Sequence, residues 1–166
     1  YQEVEWIGSS GTQYIDTEFY PETINSYYET KIIPYHTDST EGVFGCRNGN
    51  SSTVQSCAMF ISSAGRFRDD WYTGGASTTY TRDIVSENSY TIKINRLSYI
   101  VNDNSFIKET GDNYKMTSSF LIGTINNNDG TVFGNCFNGK ICYGKLYNNN
   151  VLARDLVPCY RKSDNV

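Results

Sequence analysis

Residues 139–161 read GKICYGKLYNNNVLARDLVPCYR. Two extended runs flank a polar turn. Ile141, Tyr143, Lys145 and Tyr147 share one parity, and Cys142, Gly144 and Leu146 share the other. Side chains of one parity point to one side of a strand. Asn148, Asn149 and Asn150 follow, a residue type that tolerates positive φ and bonds its own backbone. Val151, Leu152, Leu156 and Val157 resume the apolar run, and Pro158 closes it. That order of residues predicts a β-hairpin. Apolar residues on both parities of the first run predict a strand lying inside a sandwich.

The surrounding composition agrees with this. The chain has 166 residues, 38% of them hydrophobic and 19% charged, which suits one domain with one core. Tyr is abundant, at 14 copies against two Trp and eight Phe. Tyrosine combines a large contact area with a polar tip, so it serves core edges and recognition surfaces. The net charge of −4 argues against nucleic acid as a partner, because phosphate binding needs a basic surface. No run of about 18 apolar residues occurs, so no membrane-inserted helix is expected. No basic-then-apolar leader opens the chain. It begins at Tyr1, and the expectation is a processed or excised domain.

Residues 1–7 (YQEVEWI) and 12–19 (TQYIDTEF) read as extended pieces broken by Gly8-Ser9-Ser10-Gly11. Further strands are predicted at 25–34, 43–47, 55–62, 66–72, 89–95, 97–101, 105–109 and 119–125, with 126–130 as a polar loop. Strands recurring at roughly 8–12 residues without a convincing helix predict an all-β, antiparallel β-sandwich or barrel.

Cys46, Cys57, Cys136, Cys142 and Cys159 are odd in number, so at least one is unpaired within the chain. No C-x-x-C pair occurs, and His36 is the single histidine, which argues against a zinc site. Buried free thiols are favoured over a disulfide framework. If disulfides form, Cys46–Cys57 and Cys136–Cys142 are the pairs to check.

Three pieces carry a resemblance. WIGSSGTQYIDTEFYP resembles an E-x-I-x-S-S/T-G-T-Q-Y-I-D-T opening, and GVFGCR resembles a recurring L-F-G-x-R strand. NGKICYGKLYNNNVLARDLVPCYRKSDNV resembles a G-K-I-Y-x-x-K-I-Y-D-N-G-x-L-V-R-D-x-V-P-C ending. Together they resemble the concanavalin A-like, laminin-G-like jelly-roll family of bacterial surface and prophage structural proteins. The resemblance implies a jelly-roll sandwich and an extracellular, cell-surface or virion setting. Members often continue with a G-L-Y-D strand, so one more strand is expected to be missing or supplied elsewhere. It also implies a structural role for Arg154-Asp155. Calcium at a sandwich rim is compatible with the family, and Asp38, Asp103 and Asp129 sit in predicted loops. No D-x-D-x-D-G loop gathers them, so turn residues are the favoured reading.

The family does not decide function, which has to come from a site. A sandwich glycosidase needs two carboxylates flanking the scissile bond. No E-x-D-x-x-E run is present; Glu3 and Glu5 share a face but read as a solvated edge, and the adjacent Asp69 and Asp70 point to opposite faces. His36 has no motif pairing it with a nucleophile and reads as a surface histidine. Asn50-Ser51-Ser52 is a formal glycosylation sequon, read as idle. Trp6 reads as a core plug. Glycan binding needs less: an aromatic platform and a few planar polar groups. Residues 66–72 (RFRDDWY) supply them. Phe67, Asp69 and Trp71 are expected to face the core, leaving Arg66, Arg68, Asp70 and Tyr72 as the candidate ligand-binding set on the other face. A salt-bridge lattice on a solvated sheet accounts for the same residues, and would contribute little stability. The expectation is therefore a non-catalytic module that binds glycan or cell-envelope polysaccharide. The alternatives are a structural domain contacting other domains or virion proteins, and a glycoside hydrolase with atypical carboxylates.

Overall fold

A computed structural model of the chain describes residues 2–22, 25–49, 55–70, 72–73, 78–79, 83–95, 97–107, 115–128 and 131–160. In chain order the strands are β1 (Gln2–Glu3), β2 (Ile7–Ser10), β3 (Ile15–Asp16), β4 (Tyr27–Pro34), β5 (Glu41–Arg47) and β6 (Gln55–Ser62). Next come β7 (Arg66–Asp69), β8 (Tyr72–Thr73), β9 (Thr78–Thr79), β10 (Tyr90–Asn95), β11 (Ser98–Val101) and β12 (Asn104–Ile107). The last are β13 (Leu121–Ile122), β14 (Asn126–Asn128), β15 (Thr131–Val132), β16 (Asn138–Asn148), β17 (Val151–Leu156) and β18 (Cys159–Tyr160). Among the described residues there is no helix.

Two sheets form a sandwich. A seven-stranded sheet runs β12-β11-β10-β4-β16-β17, with β2 beside the first half of β16. A nine-stranded sheet runs β15-β14-β5-β6-β7-β9, with β13 linking β5 to β3 and β8 beside β6. Pairing is antiparallel except at Asn126↔Cys46, where β14 meets β5, and at the isolated bridge Gly42↔Cys136. Alternation is clean where one face meets water: in β10, Tyr90, Ile92 and Ile94 are buried while Thr91 and Lys93 are exposed. In β5 and β6 almost every residue is buried, because both faces are covered. Cys57, Met59 and Ile61 join the main core. Ala58 and Phe60, on the opposite face, pack with Ile125 and Phe133. A continuous apolar run such as CAMFI at 57–61 is the expected mark of a strand buried on both sides.

Tyr28, Phe44 and Phe120 form the aromatic centre of the main core, with ring centroids 4.5 to 5.8 Å apart. Burying each such side chain stabilises the fold by about 1.5–3 kcal/mol. Gly144 makes room for this centre, since a Cβ there would lie 2.8 Å from the Tyr28 hydroxyl oxygen. Gly45 has φ +134, and a Cβ there would overlap the Cys57 carbonyl oxygen and the backbone of Ala58. Strand β5 can lie against β6 at this point only as glycine.

The hairpin forms as the sequence predicts. Asn149 (φ 51) and Asn150 (φ 64) make a two-residue turn between β16 and β17. Successive positive φ values match the twist of the flanking strands. Two register shifts modify it. At Cys142 a β-bulge changes the parity of β16. Ile141 faces the core, both Cys142 and Tyr143 are half-buried, and from Gly144 onward the even-numbered residues are the buried ones. Tyr143, Lys145 and Tyr147 therefore do not share a face with Ile141, as strict alternation predicts. A second bulge skips Ala153 in β17. Arg154 caps it: Nη1 donates to the Ala153 carbonyl (2.9 Å) and Nε to the Thr17 carbonyl (3.2 Å). That is the structural role expected of Arg154.

Other expectations are corrected locally. Residues 8–10 belong to strand β2, because Gly139 and Lys140 pair with Ser9 and Gly8. Residues 126–128, expected in a loop, form β14, while 119–125 is strand only at Leu121–Ile122. Trp6 is not a core plug. It is 40% exposed, with the Lys140 ammonium over its ring. All five cysteines are free. Cys46 and Cys57 face each other across β5 and β6, fully buried, and burial pushes the Cys46 thiol well up. Cys136 is buried, Cys142 half-buried and Cys159 exposed.

Candidate functional site

Strand β7 follows the parity expected of it. Phe67 and Asp69 are buried on the core side. Arg66, Arg68 and Asp70 lie on the outer side of the nine-stranded sheet. Trp71 lies outside the described residues. Tyr72 is placed through its strand, where it pairs with Ser56, and its side chain is outside what is described.

This outer face is not an open sheet surface. Phe60 sits directly opposite Arg68 across β6 and β7, and its ring meets Phe133 edge-on at 5.1 Å. Two guanidiniums cover Phe60: Arg47 with Cζ 4.7 Å from the ring centroid, and Arg68 with Cζ 5.3 Å. Asp70 holds them together. Arg68 donates from Nε to Asp70 Oδ1 (3.0 Å) and from Nη2 to Oδ2 (3.1 Å), a fork-to-fork pair. Arg47 Nη2 donates to the same Oδ2. The Asp70 backbone N–H bonds the Ala58 carbonyl at 2.8 Å, so the carboxylate is anchored as well as paired.

Asp70 is fully buried, contrary to its expected place on the exposed set, while Arg68 is 41% exposed. The physical reason is that two cations lie over one anion on an apolar ring, so the anion sits beneath. The group carries a net positive charge. It offers water one planar guanidinium, that of Arg68, whose remaining N–H groups have no hydrogen-bond partner among the described residues. Arg66 stands beside it, 46% exposed and paired through Nε with the exposed Asp83 at 3.1 Å. That pair contributes about 0–1 kcal/mol, as exposed ion pairs do.

Arg47 and Phe60 are the parts the sequence reading missed. Arg47 ends β5 one residue after Cys46, and Phe60 lies three residues past Cys57 on β6. A signal was present: once Cys46 is set opposite Cys57, Arg47 and Phe60 point to the same outer face as Arg68.

His36 is not isolated. It lies 3.2 Å from both Asp38 and Glu41, and its Nε2 is 2.9 Å from the Asn138 side-chain nitrogen. Buried Glu41 also accepts the Asn138 backbone N–H (3.0 Å) and the Ser39 hydroxyl (3.1 Å). This clasp ties the start of β5 to β16. Asp103 lies in a different turn, between β11 and β12, and Asp129 is outside the described residues. Among the described residues no group of three or more His, Cys, Asp or Glu side chains could hold a metal ion. At the edge near β2 and β17 a mainly apolar cavity of about 250 Å³ is lined by Ile7, Ile15, Ile122, Ile141 and Leu156, with Tyr143 and Cys159 as its only polar side chains among the lining residues, fewer than a sugar needs.

No family model and no curated protein matches the chain. Solved structures do. The CBM40 carbohydrate-binding module of the Ruminococcus gnavus IT-sialidase is similar at 14% identity and TM-score 0.66, covering 91% of this chain and 93% of that one. The same module bound to α2,3-sialyllactose is similar at 12% identity and TM-score 0.66, covering 91% and 92%. A heptameric SAP-like pentraxin from Limulus polyphemus is similar at 13% identity and TM-score 0.55, covering 90% and 77%. At these identities the likeness establishes the fold: an all-β jelly-roll sandwich of lectin-like architecture.

Proposed function

We propose that the chain is a non-catalytic recognition module for glycan or cell-envelope polysaccharide, acting in a bacterial surface or phage tail protein. The observation that carries this is the Arg47–Asp70–Arg68 group over Phe60. A planar donor held by a buried carboxylate on an aromatic ring is already ordered, so binding a sugar's hydroxyl or carboxylate oxygens costs little further entropy. Arg66 extends the same face, Tyr72 is placed beside Ser56 by its backbone pairing, and Asp70 acts from beneath as the group that orients Arg68. The structural likeness to a module whose complex with sialyllactose is known supports the reading.

The test is a glycan array followed by calorimetry on the hits, with the wild-type chain and Arg68→Ala. Arg68→Ala is expected to weaken binding by about tenfold or more, the loss of one charge-assisted fork. Failure of every neutral and acidic glycan to bind the wild type would end the proposal.

A second reading, a structural domain of a virion or surface assembly, draws on the exposed Val151, Leu152 and Val157 near the edge strand β17. Concentration-dependent association of the isolated chain would favour it.

A further inference from the structure

The outer face of the seven-stranded sheet carries a different set of side chains. The bulge at Cys142 is what creates it, by turning Tyr143, Lys145 and Tyr147 outward beside Lys31, Glu29 and Tyr27 of β4. Tyr27 and Tyr147 stack with centroids 4.1 Å apart, and the Lys93 ammonium of β10 lies 4.5 Å from the Tyr27 centroid. Tyr143 donates its hydroxyl to Glu29 Oε1 at 3.2 Å. Lys145 lies 6.0 Å from the Tyr143 centroid and 3.9 Å from Asp155. Lys140 sits 4.3 Å over the half-exposed Trp6 ring.

Glu29 and Asp155 are thus engaged by Tyr143 and Lys145. Lys31 and Lys140 have no carboxylate within salt-bridge distance among the described residues. The register sets Lys31 opposite Tyr143 and Lys140 opposite Ile33, one on each side of the Cys142 bulge, and both bear electrostatically on the Cys142 thiol, with Glu5 as the opposing charge. Among these described side chains, four lysines stand against Glu29, Asp155 and Glu5, a local balance of +1, while the whole chain is −4. Tyrosine and tryptophan supply faces on which a pyranose ring can stack, and ammonium groups at their margins suit an anionic substituent.

We propose that this face binds an acidic polysaccharide, with a carboxylate or sulfate between the Lys31 and Lys140 ammoniums and a sugar ring against Trp6 and Tyr143. A neutral sugar would leave both cations without an anionic partner. A dry protein interface would need an apolar centre that this lattice of charges and hydroxyls does not provide. The site is separate from the guanidinium group on the other sheet and does not depend on it.

Cys142 reports on the site directly. In a Cys159→Ser background, with Cys46, Cys57 and Cys136 buried, iodoacetamide modification of Cys142 is followed by peptide mass spectrometry. The probes are oligogalacturonate, dextran sulfate and uncharged dextran. Oligogalacturonate or dextran sulfate is expected to slow modification about tenfold, and dextran to leave it unchanged. Protection is expected to fade as salt rises, since the Debye length shortens to about 3 Å at 1 M. It is expected to vanish in Lys31→Gln/Lys140→Gln, a surface pair whose folding is checked by circular dichroism, and to persist in Arg68→Ala. Protection by neither acidic probe, equal protection by dextran, or protection surviving Lys31→Gln/Lys140→Gln would overturn the proposal. So would its loss in Arg68→Ala, which would assign the glycan to the other sheet.

Discussion

Asp70 shows how much one residue can decide. Its carboxylate has no access to water and neutralises one of two guanidiniums. In Asp70→Asn those cations lose their anion while still covering Phe60. Breaking a fully buried pair costs about 3–5 kcal/mol; Arg68 is 41% exposed, so the loss here is smaller, but the urea midpoint should still fall, and an unchanged midpoint would contradict the burial. Gly45→Ala should be comparably damaging, by more than about 3 kcal/mol, because both φ and space forbid a Cβ. Tyrosines give the alkaline response. Burial raises the Tyr28 hydroxyl far above its ordinary 10, and burial with the Glu29 carboxylate pushes Tyr143 up to about 12. Unfolded tyrosines ionise near pH 10 while these remain protonated in the fold. Their contribution is therefore intact below pH 10 and is lost as pH climbs toward 12. Urea midpoints taken across that interval should decline steadily; a flat profile would contradict the assignment. The β7 parity was legible in the alternation of RFRDDWY. Arg47 was not, since its partner Asp70 is 23 residues away and only the β5–β6 register brings them together.

Strand β16 marks what a one-dimensional pattern conveys about an element. Its existence, its hairpin and its Asn turn follow from the residues. Its bulge does not, because a single inserted residue leaves composition unchanged while redirecting every side chain after it. Strict alternation sets Tyr143 with Ile141, whereas the bulge sets it with Lys31. The bulge gives a sharp contrast between two deletions. Removing Cys142 joins Ile141 to Tyr143 with core and outer parities still correct, so the chain should fold with near-native circular dichroism. Removing Lys145 would invert Leu146 and Tyr147 and expel Leu146 from the core, and that chain should not fold. Equal behaviour of the two deletions would rule out the bulge. Strands β2 and β14 escaped notice for a related reason: Gly8–Ser10 and Asn126–Asn128 are turn-prone by composition, and pairing with β16, β5 and β15 overrides that preference.

The sandwich as a body was legible because many short strands with turn residues between them admit few other arrangements. Which outer surface stays open to water was not, because the coverage of β5 and β6 by Ile125 and Phe133 is set by tertiary packing. The flank at β17 brings a further consequence. Val151 and Leu152 stand in water there, on a border strand that could recruit a foreign chain. One guanidinium occupies the Ala153 carbonyl of this border strand and ties it to the Thr17 carbonyl, next to β3 of the other sheet. Arg154→Ala should therefore yield a folded domain that self-associates into larger particles over time, visible by light scattering. Persistent monodispersity would mean that the kink in the backbone alone is enough to keep neighbours from docking.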